Sequence, residues 1–205
     1  MERTWTSFFD YLEAPLRPFV RWTLVALVVP LVLTFLFPLW RISMVAPQYP
    51  SGLCMDIYSY QLVGGNGGHD VEEINTLNHY IGMKPIVQSD FAEMTWMPFA
   101  IGIFALLALR AAAVGRIRHL VDLGVLFLYF GLFSLATFAY RLWSYGHHLD
   151  PHAPMRIAPF TPILIGQQQI ANFVQSSLPM AGTACMGAFL MTVVAAIWLS
   201  RPEVS

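Results

Sequence analysis

Residues 22–40 read WTLVALVVPLVLTFLFPLW, nineteen residues without a charge, bracketed by Arg21 and Arg41. At about 1.5 Å per residue such a run spans roughly 28 Å, close to the thickness of a bilayer's hydrocarbon core. Three more stretches of this kind follow at 94–109, 123–140 and 179–200, the first extendable to Val114 if Arg110 snorkels toward the headgroups. Across the chain 57% of residues are hydrophobic and 11% charged, against about 25% charged in an ordinary soluble domain. Backbone groups in lipid need partners within their own segment, so each stretch is predicted to be a helix; the short alternating segments of a barrel are absent from the sequence. Pro30 and Pro38 are expected to kink the first helix without ending it.

The predicted fold class is therefore an all-α integral membrane protein with four transmembrane helices and a small α+β extracytoplasmic cap. Its segments are 1–21 (cytoplasmic, interfacial), 22–42 (first span), 43–93 (hairpin-plus-helix cap), 94–114 (second span), 115–119 (cytoplasmic loop), 120–142 (third span), 143–178 (outer histidine-rich loop), 179–200 (fourth span) and 201–205 (cytoplasmic tail). Orientation follows from basic residues near the span ends. Arg3, Arg17, Arg21, Arg110, Arg116, Arg118 and Arg201 fall on one side, against Arg41, Lys84, Arg141 and Arg156 on the other. That imbalance places both termini in the cytoplasm. The first apolar run has spanning length and no small-residue cleavage site after it, so an anchor is expected in place of a cleaved signal peptide.

Several function classes are disfavoured at once. A formal net charge of −1 offers no basic stripe for nucleic acid. Gly64–Gly68 lacks the Lys-Ser/Thr of a phosphate loop, no nucleophile elbow occurs, and no Cys-x-x-Cys-His is present for covalent haem. None of the spans contains a histidine for bis-histidine haem. Cys54 and Cys185 define no disulfide framework, and Cys185 reads as a buried apolar residue. Glu93 and Asp122 sit near span ends, where water is close, so no intramembrane proton relay is indicated.

The predicted outer segments carry the polar chemistry. Trp5, Phe8, Phe9, Leu12, Leu16 and Phe19 suggest an inner interfacial helix, interrupted by Pro15 and Pro18. Beyond the first span, Pro47 and Pro50 enforce a turn, 53–63 reads as a strand, and Gly64–Gly68 as a flexible turn. Asp70 and Glu73 read as a capping box for a helix carrying Val71, Ile74, Leu77 and Ile81, stopped by Gly82. The polar run Gln167–Phe173 is read as a short interfacial helix.

His147, His148, Asp150 and His152 place three imidazoles and a carboxylate within six residues. Imidazole suits copper, zinc, nickel and iron, and a turn can gather closely spaced donors. The competing account has these histidines at headgroup level, bonded to lipid, water and backbone. His79 and Met83 are four apart, with Glu72 and Asn75 on roughly the face of His79; a thioether beside an imidazole favours copper(I). Met44, Met55, Met94 and Met97 lie near the same surface in sequence, though methionine is also an ordinary core filler.

Three strings, Ala46-Pro47-Gln48-Tyr49-Pro50-x-Gly52-Leu53, Glu73-Ile74-Asn75-x-Leu77-Asn78-His79-Tyr80-Ile81-Gly82-Met83 and Tyr145-Gly146-His147-x-Leu149-Asp150-Pro151-x-Ala153-Pro154, resemble the signature of a poorly characterised family of four-span bacterial membrane proteins associated with gene neighbourhoods for nitrous-oxide reductase, a periplasmic copper enzyme. The resemblance covers most of the chain. It implies help with maturation of, or electron supply to, such an enzyme, with copper as the metal and a periplasmic copper enzyme or chaperone as partner. His148 and His152 stand outside the quoted pattern, which shifts weight to His79 and His147. The other expectations are a structural or assembly subunit without a metal of its own, in which Asn75, Asn78, His79 and Asp150 tie the outer segments together, and a quinol-linked electron-transfer subunit.

Overall fold

The computed structural model describes residues 9–170 and 172–200. Arg3, Trp5, Phe8 and Arg201, used above for anchoring and orientation, and Ala171 of the polar run lie outside the described residues. The order of elements is α1 (Pro18–Ala26), α2 (Val28–Leu33), β1 (Trp40–Ala46), β2 (Tyr49–Ile57), β3 (Leu62–Gly64), α3 (His69–Tyr80), α4 (Glu93–Val114), α5 (Ile117–His147), β4 (Gly166–Ile170), β5 (Phe173–Pro179) and α6 (Ala181–Leu199).

This corrects the expected fold class. The protein is α+β, with a five-stranded antiparallel sheet ordered β3-β2-β1-β5-β4. Three helices, α4, α5 and α6, are long and apolar enough to cross a membrane. The run 22–40 is not a fourth such helix. Pro30 has no N–H to give the carbonyl of Ala26, and its ring crowds that carbonyl. The helix accordingly breaks at Leu27, between α1 and α2. Past Leu33 the chain turns, and Trp40 already belongs to β1. An uncharged apolar run thus supplies a broken helix and the start of a strand.

The polar run is corrected too. Gln167–Gln169 belong to β4, paired with β5 in the register Gln168↔Gln175 and Ile170↔Phe173. β5 pairs in turn with β1, from Trp40↔Pro179 to Val45↔Val174. The strand expected over 53–63 is two strands, β2 and β3, separated by a turn. The capping box is not formed: Gly68 occupies the cap position of α3 without a side-chain bond. Asp70, buried, instead accepts the Cys54 N–H at 2.8 Å and the Asn66 amide at 2.7 Å. Burial, and then the charge of Asp70, push the Cys54 thiol pKa up.

The chain divides into two compact units. One comprises the described residues of 1–33, 99–132 and 185–205, and the other comprises 34–98 and 133–184. In the first, Phe127 packs against Phe104 and Phe189, with ring centroids 5.0 and 4.5 Å apart, joining α4, α5 and α6. Gly115, at φ +69°, closes α4 in the left-handed conformation that glycine tolerates. The Arg21 guanidinium donates to the carbonyls of Ala112 and Ala113 at 2.7 and 2.9 Å, favourable for a cation at a helix C-terminus. Leu16 N–H donates to Gly115 O, and Arg116 pairs with Glu13.

In the second unit β1 alternates, burying Trp40, Ile42, Met44 and Ala46 on one face. These pack with Leu53 and Met55 of β2, Ile170 and Phe173, and with Ile74 and Leu77 of α3 and Leu142 of α5. Trp40 Nε1 donates to Ser177 Oγ at 2.8 Å, and that hydroxyl donates to Leu164 O at 2.8 Å. Arg41 and Asp56 form a two-bond ion pair at 2.6 and 2.7 Å across the β1–β2 register. Glu93 is paired with Arg141 at 3.1 Å, so this carboxylate at the start of α4 has a counter-charge.

Candidate functional site at the Gly82–Asp150 junction

The segments 46–53, 73–83 and 145–154 meet in the second unit. Ala46–Tyr49 forms the β1–β2 turn, and Tyr49 Oη donates to Glu73 of α3. Glu73, expected to close a capping box, thereby ties the helix to the hairpin. Asn75 clamps the chain beyond the helix, donating to Ile86 O at 3.0 Å and accepting from Ile86 N at 2.7 Å.

Gly82 follows the helical segment at φ +79° and lies against the backbone of Asp150. Its carbonyl accepts the Asp150 N–H at 2.8 Å, and the Tyr80 carbonyl accepts the Met155 N–H at 2.9 Å. A Cβ on Gly82 would lie 2.9 Å from both the backbone nitrogen and oxygen of Asp150. Only glycine suits this position, because both the backbone conformation and the space demand it. The helix bearing His79 and the turn bearing Asp150 and His152 are thus joined by backbone bonds.

Asp150 organises its own turn. Its Oδ1 accepts the His152 N–H at 2.8 Å, and the His152 Nδ1 lies 3.3 Å from the same oxygen. The His152 backbone N–H, reinforced by the His152 and then the His79 imidazole, holds the Asp150 carboxyl below the usual carboxylate range. His147 Nδ1 lies 2.9 Å from Trp143 O and its ring stacks on the Trp143 indole at 4.7 Å; His148 Nδ1 lies 3.0 Å from Ser144 O. An imidazole whose Nδ1–H is given to a carbonyl or carboxylate turns the Nε2 lone pair outward, the tautomer seen in many metal-binding histidines.

The structure brings His79, Asp150 and His152 to one junction, and puts His147 on the last turn of α5 with His148 just past its end. Met83 packs against the hydrophobic core, and Met44 and Met55 lie within it. Among the described residues, no group of three His, Cys, Asp or Glu side chains is arranged to hold a metal ion. Asn78 is fully buried, and neither atom of its amide has a partner among the described residues. The bonds between the two segments run through backbone groups of Gly82, Tyr80, Asp150 and Met155. Gly82 signals its conformation in the sequence, but nothing local names its partner. Comparison with protein-family models, curated proteins and solved structures finds no match.

Proposed function

We propose that this membrane protein is an accessory factor of the bacterial inner membrane. It takes up copper on an extracytoplasmic face and passes it to a periplasmic respiratory copper enzyme such as nitrous-oxide reductase. The observation that carries this reading is the Gly82–Asp150 junction, which joins the His79 and His152 segments around one carboxylate. Exposed histidine and aspartate side chains change rotamer in picoseconds to nanoseconds, so an entering ion can gather them without backbone movement. With Met83 packed against the core, the donors that remain are imidazole and carboxylate, a set that suits copper(II) better than copper(I). His147 and His148 stand as auxiliary donors. In this reading the Arg116–Glu13 end of the helices faces the cytoplasm, following the bias of the basic residues.

Competition titration of the purified protein with copper(II) and a chelator of known affinity tests the proposal. About one ion per chain is expected, with affinity falling at least about tenfold in His79→Ala and in His152→Ala. Equal affinity and stoichiometry in both variants would dispose of the assignment.

A second reading, a structural subunit of a respiratory complex without a metal of its own, is favoured by the other face of the sheet. There Val45 and Val174, register partners, and Leu178 are exposed. Cross-linking in intact membranes separates the two: a stable complex free of copper supports the subunit.

A further inference from the structure

Independently of the copper reading, the second unit contains a cavity of about 340 Å³ between the outer part of α5 and the chain leading into β4. Ala139 and Leu142 of α5 line one side, Pro162 and Leu164 another, and Gln168 of β4 contributes its side chain. The volume is at the lower end of small-molecule sites, and the lining is mostly apolar with two polar side chains, Thr161 and Gln168, the usual composition of such sites. The Leu164 wall is fixed by the buried chain of bonds from Trp40 through Ser177.

Gln168 Oε1 is buried and has no hydrogen-bond partner among the described residues. Buried carbonyl oxygens are nearly always paired, and a turn of the Gln168 side chain toward the adjoining cavity would let this one accept a hydrogen bond from a donor bound there. The depth of the cavity narrows the donor. Twenty helical residues cover about 30 Å, so α5 counted from Leu120, just past the Arg116 and Arg118 pair, reaches the far headgroup level near Tyr140. Tyr140 and Trp143 are both exposed there, as aromatic side chains at a membrane interface are, and they alternate with the cavity residues Ala139 and Leu142. Among the described residues lining the cavity there is no Lys or Arg, so a phosphate-bearing headgroup would find no counter-charge. A neutral, membrane-soluble ring with a hydroxyl meets each of these conditions.

We propose that this cavity binds the ring of a quinol, with one ring hydroxyl donating to Gln168 Oε1. A quinone, which has carbonyls in place of hydroxyls, cannot make that bond. The full chain in phosphatidylcholine nanodiscs, kept anaerobic, is titrated with a short-tailed ubiquinol and separately with its quinone. The quinol is expected to bind about tenfold more tightly, equivalent to about 1.4 kcal/mol. Gln168→Leu should remove that preference by weakening quinol alone, and Ala139→Phe, which fills the cavity from α5, should weaken both forms. The second variant keeps the test decisive if the first does not fold. Equal binding of the two forms, quinol affinity unchanged in whichever variants fold, or displacement of quinol when phosphatidylglycerol supplies its glycerol hydroxyls would each overturn the proposal.

Discussion

Gly82 combines two demands that no other residue meets: a positive φ of +79° and a neighbouring backbone 2.9 Å from where a Cβ would be. A non-glycine residue held in that conformation costs about 1–3 kcal/mol, and the contact with Asp150 adds to it. Gly82→Ala is therefore expected to loosen the junction. Hydrogen exchange should speed up at the Asp150 and Met155 amides while the β1–β5 amides keep their protection; unchanged exchange at Asp150 would contradict the account. Asp150 itself makes its turn sensitive to acid. Its carboxyl pKa is lowered in the folded state, so its contribution is fully present above the unfolded value of about 3.9 and is lost as the pH falls through the lower, folded value. Protection of the His152 amide should follow that acid transition, and Asp150→Asn should remove the pH dependence. A transition at or above the ordinary carboxylate pKa would show that the carboxyl is not held as described.

At the scale of elements, α3 is held on both sides by side chains, through Glu73 to Tyr49 and through Asn75 to Ile86. Asn75→Ala removes two partly buried bonds, each worth about 0.5–1.5 kcal/mol. It should release the chain around Ile86, seen as faster proteolysis after Lys84, with the sheet intact; cleavage at the wild-type rate would argue against the clamp. The three long helices were legible because about twenty apolar residues in a row have few other uses. The sheet was not. WRISMVA in β1 follows straight on from the apolar run, so its alternation of Trp40, Ile42 and Met44 with Arg41 and Ser43 reads as the end of a span, and GQQQI in β4 has three consecutive glutamines and a single β-branched residue, Ile170. What makes them strands is pairing between distant parts of the chain, Trp40 with Pro179, and such pairing leaves no local mark. Pro30 was visible as a kink, but whether a proline bends or ends a helix depends on what receives the chain beyond it. Here β1 receives it.

At the scale of the whole molecule, the apolar surfaces of the long helices, with Phe99, Leu106, Tyr129, Met191 and Trp198 exposed, call for a lipid environment. The proposed function further requires the sheet-bearing unit, with the His79 and His152 segments, on the extracytoplasmic side. Of the candidate site, the residue types were readable in the sequence; their joining through Gly82 and Asp150, and the packing of Met83 against the core, were not, because both depend on contacts between distant segments. The central claim, an outward-facing histidine junction on a membrane-held sheet, is tested most directly by single-cysteine labelling in whole cells with a membrane-impermeant maleimide. The background replaces Cys54 and Cys185. Glu72 and His148 are exposed reporters near the two segments, and Glu13, paired with Arg116, reports the basic side proposed to face the cytoplasm, where an exposed ion pair costs little to lose. Gly115 would be a poor reporter there, since a Cβ would lie 3.2 Å from Arg21 Nε. Cysteines at Glu72 and His148 should label in intact cells and a cysteine at Glu13 only after permeabilisation; labelling at Glu13 alone in intact cells would contradict the account.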